Sequence, residues 1–477
     1  MGSANIAQNT LYLTVASVGQ KILAFVYFMF IARVMKVEGT GAYFLAISLT
    51  TIFSIVADFG MQPVIIREIA KGREVDRLIR TVLGIKIPLM ILAFFTVIIA
   101  SHLLGYDPLV QKLVSLAAVV MVLDSVSLTF YGILRGQQLL KYESLGIFLG
   151  QALILLVGGS VLLMSPSLPM LIVALIAGSS FNALFSLFIV VRRFGTKALI
   201  PTWDNAFVQR VLKIALPFAL AGAFVKVYSY IDTVLLSQFL GAGAVGIYAI
   251  AYKLTYAFQF LPMAFIAALY PGISSLLVND RDRVVKVFED AMWYMMLLAT
   301  PIVLGIWSIA DQLIPAFVGS EFMESILPLQ ILIFVLFFIF LDFPIGALLN
   351  AADRQVTKTI IMGATMVVNV VLNLILIPQY GVVGATISAL GGFLVLFVAG
   401  LYFVPQIISW KPVRLIRRLY PILISGIIMA TVSVFLKEYL HFVLVIALAS
   451  VVYFALLFGL KALSWKQVKQ GMCLIKF

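Results

Sequence analysis

Apolar runs of about 20 residues, the length that crosses ~30 Å of hydrocarbon, recur from one end of the chain to the other with only short polar gaps between them. This pattern predicts an all-α integral membrane protein with fourteen spanning helices: 11–34, 42–66, 81–104, 111–134, 145–164, 168–191, 214–237, 244–272, 290–312, 325–350, 359–378, 382–404, 419–436 and 441–460. Turn signals divide them at Gly39 and Gly41, Gly105 to Pro108, Pro166 to Pro169, Gly241 to Gly246, Gly319, and Pro378 to Gly384. The longest gap, 192–213, sets Trp203, Phe207, Val208, Val211 and Leu212 among Asp204, Gln209, Arg210 and Lys213, a pattern that predicts a helix lying in the headgroup layer. No gap has room for a soluble domain.

A shift of 205 positions carries Lys21 onto Lys226, Gly41 onto Gly246, Tyr43 onto Tyr248 and Ala46 onto Ala251. The chain is therefore internally duplicated, each copy comprising six spans that start from the same side. The expected organisation is an N-lobe over 1–197, a C-lobe over 198–404, and two added helices with a tail over 405–477. Two bundles repeated in parallel form a natural rocker, with a substrate cavity that opens to one face at a time.

Composition agrees with the bilayer: of 477 residues, 63% are hydrophobic and 11% charged, far below the quarter or so of soluble proteins. The net charge of +13 raises the question of nucleic acid, and its placement answers it. With the N-terminus in the cytoplasm, most of the 33 basic residues fall in inside loops or the tail, among them Arg67, Lys71, Arg73, Arg77, Arg80, Arg192, Arg193, Lys358, Arg414, Lys466, Lys469 and Lys476. Arg33, Lys36, Lys112 and Lys437 are left outside, so the positive-inside rule predicts cytoplasmic N- and C-termini in a cell (plasma or inner) membrane. The lone Cys473 excludes an internal disulfide, and the first span reads as retained rather than cleaved.

Within this apolar background, ions are the informative residues. Lys21 lies about ten residues into its helix, roughly 15 Å deep at 1.5 Å per residue, and a cation there costs at least ~3 kcal/mol unless it faces a wet interior. Lys226 repeats it, and Lys253 follows on helix eight, so these three are expected to line a cavity, whereas Lys86, near the start of helix three, is expected to snorkel. Asp58 and Asp232 have two possible jobs, pairing with a lysine or exchanging H+ or Na+ as a coupling ion, and the residues alone leave both open. Asp124 and Asp342 form a second tier, expected in hydrogen bonds within a lobe, as are Asn182, Asn369, Asn373, Gln151 and Gln259. His102 and Asp107 have acyltransferase-like spacing but sit alone in a short outer loop. No cluster has metal-ligand spacing and no glycine-rich loop ends in Gly-Lys-Ser/Thr, so neither a metal site, a cofactor nor ATP hydrolysis is expected, and the chain reads as a transporter rather than an enzyme.

Ala32-Arg33, Gly41, Tyr43, Asp58-Phe59-Gly60 and Arg67, followed by Asp232, Leu240-Gly241, Gly246-Ile247-Tyr248, Ala251, Pro262, Pro271, Tyr380-Gly381 and Gly384-Ala385, resemble the polysaccharide and O-antigen flippases of the multidrug/oligosaccharidyl-lipid/polysaccharide superfamily. The resemblance spans about residues 5 to 405 and implies a fold like that of the multidrug members. It further implies export of a polyprenyl-pyrophosphate-linked oligosaccharide to the outer leaflet through a cationic cavity, with the bilayer, a polysaccharide polymerase and glycosyltransferases as partners. Lys21, Lys226 and Lys253 against Asp58 and Asp232 leave one net positive charge for a pyrophosphate, and Arg67 at the mouth adds another. Lysines stand where many relatives have arginines, and as point charges they suit a ligand that must be released. Within the same superfamily a multidrug cation antiporter and a lipid II flippase are the alternatives. The buried lysines count against the first, and a membrane glycosyltransferase would need longer outer loops.

Overall fold

The computed structural model describes residues 3–72 and 74–463. Arg73, Cys473 and the tail lysines Lys466, Lys469 and Lys476 lie outside the described residues. The described chain is built from α-helices: α1 (Ser3–Asp58), α2 (Met61–Ala70), α3 (Val75–Leu103), α4 (Pro108–Gly136), α5 (Leu140–Met164), α6 (Leu168–Phe194), α7 (Asn205–Tyr256), α8 (Phe260–Asn279), α9 (Arg281–Val318), α10 (Ile326–Leu332), α11 (Val335–Ala351), α12 (Gln355–Phe403), α13 (Pro412–Leu436) and α14 (Phe442–Gly459). Among the described residues, eleven continuous helical stretches are long and apolar enough to cross a membrane. The protein is a multi-pass membrane protein, and the helix is the form in which a spanning segment pairs its backbone groups within itself, as a bilayer requires.

Eleven stretches stand against fourteen predicted spans because α1, α7 and α12 each run through two predicted spans, interrupted once by a non-helical residue. These residues are Lys36 (φ 62°), Gly241 (φ 82°) and Gly381 (φ 60°). Lys36 and Gly241 are 205 positions apart, so the duplication extends to a backbone break that the side chains do not share. A lysine at positive φ costs of order 1–3 kcal/mol, which glycine avoids. The predicted span 42–66 is also cut, at Phe59 (φ 46°) and Gly60 (φ 67°), after which α2 begins. A Cβ on Gly60 would lie 2.5 Å from the Ala219 nitrogen and 2.7 Å from the Ala215 oxygen, so this bend rests directly on the backbone of α7.

The chain divides into two compact units, Met1–Ala249 and Ile250–Phe477. In the first, α4 packs on α6 and α1, and α5 on α1 and α6. One apolar cluster joins Val64 and Ile65 of α2, Ile79 and Val82 of α3, Ile133 of α4, Val190 of α6, and Val208 and Val211 of α7. That cluster corrects the expectation of a headgroup helix over 192–213. Residues from Asn205 onward are the first turns of α7, and Val208 and Val211 are core residues, while Trp203 stays exposed. In the second unit, α9 packs on α13, α11 on α12 and α13 on α14.

The connector before α7 is fixed to α3. The Arg77 guanidinium donates to Glu74 and Asp204 and lies 4.6 Å over the Phe207 ring, and Arg80 Nε donates to the Ile200 carbonyl at 3.0 Å. The hydrogen bond from Arg77, with backbone N–H groups of Phe207 and Ala206 beside it, holds the Asp204 carboxyl below its usual value. A depressed folded value means that its stabilising contribution is present above the unfolded carboxylate range and is lost as pH falls through the folded value. Protection from hydrogen exchange across 196–206, taken relative to the intrinsic amide rate at each pH, should therefore fall on acidification, and Arg77→Ala should show the low protection already at neutral pH. Unchanged exchange in Arg77→Ala would contradict this latch.

Candidate functional site

A cavity of about 440 Å³ opens within the first unit. Its wall is built from α1 (Thr50, Thr51, Ser54, Asp58), the bend and first turn of α2 (Gly60, Gln62), α4 (Asp124, Ser125) and the second-repeat helix α7 (Gly222, Lys226). The bend at Phe59-Gly60 ends α1 at Asp58 and lets the next helix start at a new angle, leaving Asp58 at the wall. Gly222 has only the Ile55 methyl close to its missing Cβ, so α7 can approach α1 there.

Four ionic groups meet around this space. The Lys226 ammonium donates to Ser54 Oγ across from α7 to α1. The Lys86 ammonium donates to Asp58 Oδ1 at 2.9 Å and to the Ser125 carbonyl at 3.2 Å. Ser125 Oγ in turn donates to the Ala57 carbonyl at 3.2 Å, tying α4 to the end of α1. Asp124 Oδ1 accepts from Ser179 Oγ of α6 at 2.6 Å. Two ammonium groups and two carboxylates thus balance one another at the cavity.

Lys86 overturns its expectation of snorkelling: it is 1% exposed and fully engaged with Asp58 and Ser125. The physical reason is the start of α3 at Val75 rather than residue 81, which puts Lys86 eleven residues in, about 16 Å along the helix. Sequence reasoning missed it as a site residue; the signal was a lysine two positions before Pro88 inside an otherwise apolar run.

The remaining candidates are dispersed. Lys21 is exposed on α1 and, with Arg67, is not among the residues that line the cavity. Arg67 is exposed on α2, 3.8 Å from Glu68. Asp232 is buried and accepts a hydrogen bond from Tyr248 OH at 2.7 Å, across the Gly241 break in α7. Lys253, half-buried, belongs to the second unit. There too, Asp342 receives both hydrogen bonds of the Lys358 ammonium, at 2.6 and 2.7 Å, so Lys358 is a buried partner of Asp342 rather than an inside-loop charge. Asn182 accepts from Tyr131 OH, and Asn373 donates to the Asn369 carbonyl, as interhelical or intrahelical polar bonds. No group of three or more potential metal ligands occurs among the described residues.

The chain as a whole resembles known proteins. A protein of Haloferax volcanii described as probable low-salt glycan biosynthesis flippase Agl15 is 25% identical over 413 residues, 85% of each chain. The probable flippase AglR of the same organism is 29% identical over 168 residues, 34% of this chain and 35% of its own. Among solved structures, a lipid II flippase MurJ in an inward closed conformation is similar with a TM-score of 0.76 at 18% identity, over 94% of this chain and 98% of its own. An inward-facing multidrug resistance transporter of the MATE family, MOP superfamily, gives a TM-score of 0.68 at 15% identity, over 81% and 94%. These likenesses establish the superfamily fold expected from the sequence. Residues 217–375 match the MatE family, and residues 6–277, more than half of the chain, match the family described as polysaccharide biosynthesis protein. With that larger share matched, the chain belongs to the polysaccharide biosynthesis protein family.

Proposed function

We propose that this protein is a flippase, which moves a polyprenyl-pyrophosphate-linked oligosaccharide from the cytoplasmic to the outer leaflet of the cell membrane by alternating access of its two repeats. The observation that carries this reading is the Lys226 ammonium at the wall of a largely apolar cavity, its hydrogen bond going to a neutral hydroxyl rather than to a carboxylate. A cation inside a membrane bundle costs several kcal/mol unless water or a counter-charge reaches it, and Lys226 lines a space large enough for a phosphate-bearing headgroup. The Agl15 relative, whose description names a glycan flippase, supports the same substrate class. In this reading both termini are cytoplasmic, Lys21 and Lys253 serve the same anion at other points of its path, and Asp232 belongs to the ion-coupling machinery with H+ or Na+ as the driving ion. The transported molecule is released unchanged, so no chemical step is assigned.

An exporter of organic cations is the competing reading, and Asp58 and Asp124 are the features in its favour. Asp58 is already neutralised by Lys86, however, and Lys226 would repel a cationic substrate from the same wall. The test is a gene deletion, which should cause lipid-linked glycan to accumulate on the cytoplasmic face. Complementation with Lys226→Ala should restore the membrane protein but leave at most about a hundredth of the export, the effect of losing a ~3 kcal/mol charge contact. Export at the wild-type rate in Lys226→Ala would overturn the assignment.

A further inference from the structure

The four charges around the cavity are not equivalent. Asp58 cannot give up its charge cheaply, because Lys86 is 1% exposed and its other hydrogen bond goes to a neutral carbonyl, that of Ser125. Protonating Asp58 would strand a buried ammonium, the situation in which removing one partner of a buried pair is severely unfavourable. Asp124 is in the opposite position. It makes no ion pair among the described residues, it accepts a hydrogen bond from the neutral Ser179 hydroxyl, and it lines the same cavity as Lys226. A carboxylic acid at this place keeps an oxygen to accept the Ser179 hydrogen and breaks no ion pair on gaining its proton.

Charged and polar groups surround Asp124 from each neighbouring helix. From α1 there is Asp58, from α3 Lys86, and from α7 Lys226; α6 offers Ser179 and α2 offers Gln62. On α4 itself the next charged residue is Arg135, eleven residues on and occupied by Glu143 of α5 at 2.5 Å. With Asp124 ionised the cavity is neutral overall; with Asp124 protonated it carries one net positive charge, contributed by Lys226.

We infer that Asp124 is the protonatable group of the cavity, and that proton uptake there is coupled to binding of a pyrophosphate-bearing lipid at Lys226. The inference rests on the anionic substrate proposed above. The proton moves from water to a carboxylate oxygen of Asp124 as the anion enters, so the added negative charge is met by an added positive one, and it returns to water when the anion is released. Because coupling of two binding events is reciprocal, the anion must favour the proton by the same factor as the proton favours the anion.

The experiment uses the full chain in nanodiscs with farnesyl pyrophosphate as probe, comparing wild type, Asp124→Asn and Lys226→Ala across a pH series. Asparagine retains an acceptor for Ser179. The probe's own titration is common to all three proteins and cancels in their ratios. Above the titration of Asp124, wild-type affinity should fall relative to Asp124→Asn by up to about tenfold per pH unit, the slope for one linked proton. Asp124→Asn should bind at least as well as wild type at the same pH throughout the series, and Ser179→Ala should keep the dependence but displace its midpoint. In the absence of probe, infrared difference spectra on acidification should show a protonated carboxyl band that is lost in Asp124→Asn. Parallel pH curves for wild type and Asp124→Asn overturn the proposal, as do difference spectra from which Asp124→Asn removes no carboxyl band. Binding that is sensitive to Lys226→Ala but follows either of those patterns leaves the anion flippase standing, whereas no binding at any pH overturns both.

Discussion

Asp58→Asn should destabilise the protein by about 3–5 kcal/mol, and Lys86→Met by clearly less, although the two changes break the same ion pair. The asymmetry comes from where the partners sit. Lys86 is 1% exposed, so removing its counter-ion leaves an ammonium with the Ser125 carbonyl and no water. Asp58 is 17% exposed at the cavity wall, so removing Lys86 leaves a carboxylate that water can reach. The double variant Asp58→Asn/Lys86→Met should recover most of the loss, because an amide beside a thioether carries no stranded charge and the methionine fills the lysine's volume. The measurement is a double-mutant cycle on thermal unfolding of the purified protein in nanodiscs. Equal losses for the two single variants, or a double variant as unstable as Asp58→Asn, would show that the pair is not held as the structure places it. The same cycle separates stability from transport: a function confined to Asp58 as coupling acid would leave the stability of Asp58→Asn intact.

Why Asp58 was legible in the sequence while its partner was not follows from how a helix start is read. A charge inside an apolar run is visible from hydropathy alone, and Asp58, Lys226 and Asp124 are all found that way. Lys86 was hidden because Arg77 and Arg80 look like loop charges, which moves the predicted start of the helix past them. In the structure they are part of α3, engaged with Asp204 and Ile200 of the connector, and Lys86 is correspondingly deeper. The connector was misread for the same reason: an amphipathic stretch has one signature whether it faces headgroups or packs as the first turns of α7 on a protein core. The break at Lys36 carried no local signal, since the turn residues Gly39 and Gly41 stand three and five positions later. Only the 205-residue shift onto Gly241 points to it. Ser179, which orients Asp124, belongs to no motif, and its pairing is set by how α4 and α6 pack.

The repeat also makes its largest sterically based prediction at Gly41 and Gly246, one of the pairs that reveal it. A Cβ on Gly41 would stand 1.8 Å from the Ala242 carbonyl oxygen and 2.8 Å from the Gly246 nitrogen, and one on Gly246 would stand 2.0 Å from the Val37 carbonyl oxygen. Each glycine thus meets the backbone just after the other copy's break, so the two copies cross at their equivalent positions. Neither contact is to a flexible side chain, so a methyl group cannot be accommodated by a rotamer change and must part the two helices. Overpacking of this kind costs typically 1–3 kcal/mol and sometimes more, and backbone atoms at such distances place Gly41→Ala and Gly246→Ala at or above about 3 kcal/mol. Both positions are helical with ordinary φ, so the penalty is steric and not conformational. That distinction gives the control. Gly243 lies on the same segment, and the nearest atom to its missing Cβ is Glu38 Cγ at 3.9 Å; Gly243→Ala should therefore be neutral or slightly stabilising, as replacing glycine inside a helix generally is. Thermal unfolding of the three variants, read beside their export, checks the crossing. Gly41→Ala and Gly246→Ala proteins as stable as Gly243→Ala would mean that α1 and α7 do not approach there, and the geometry that brings Lys226 to Ser54 would lose its support.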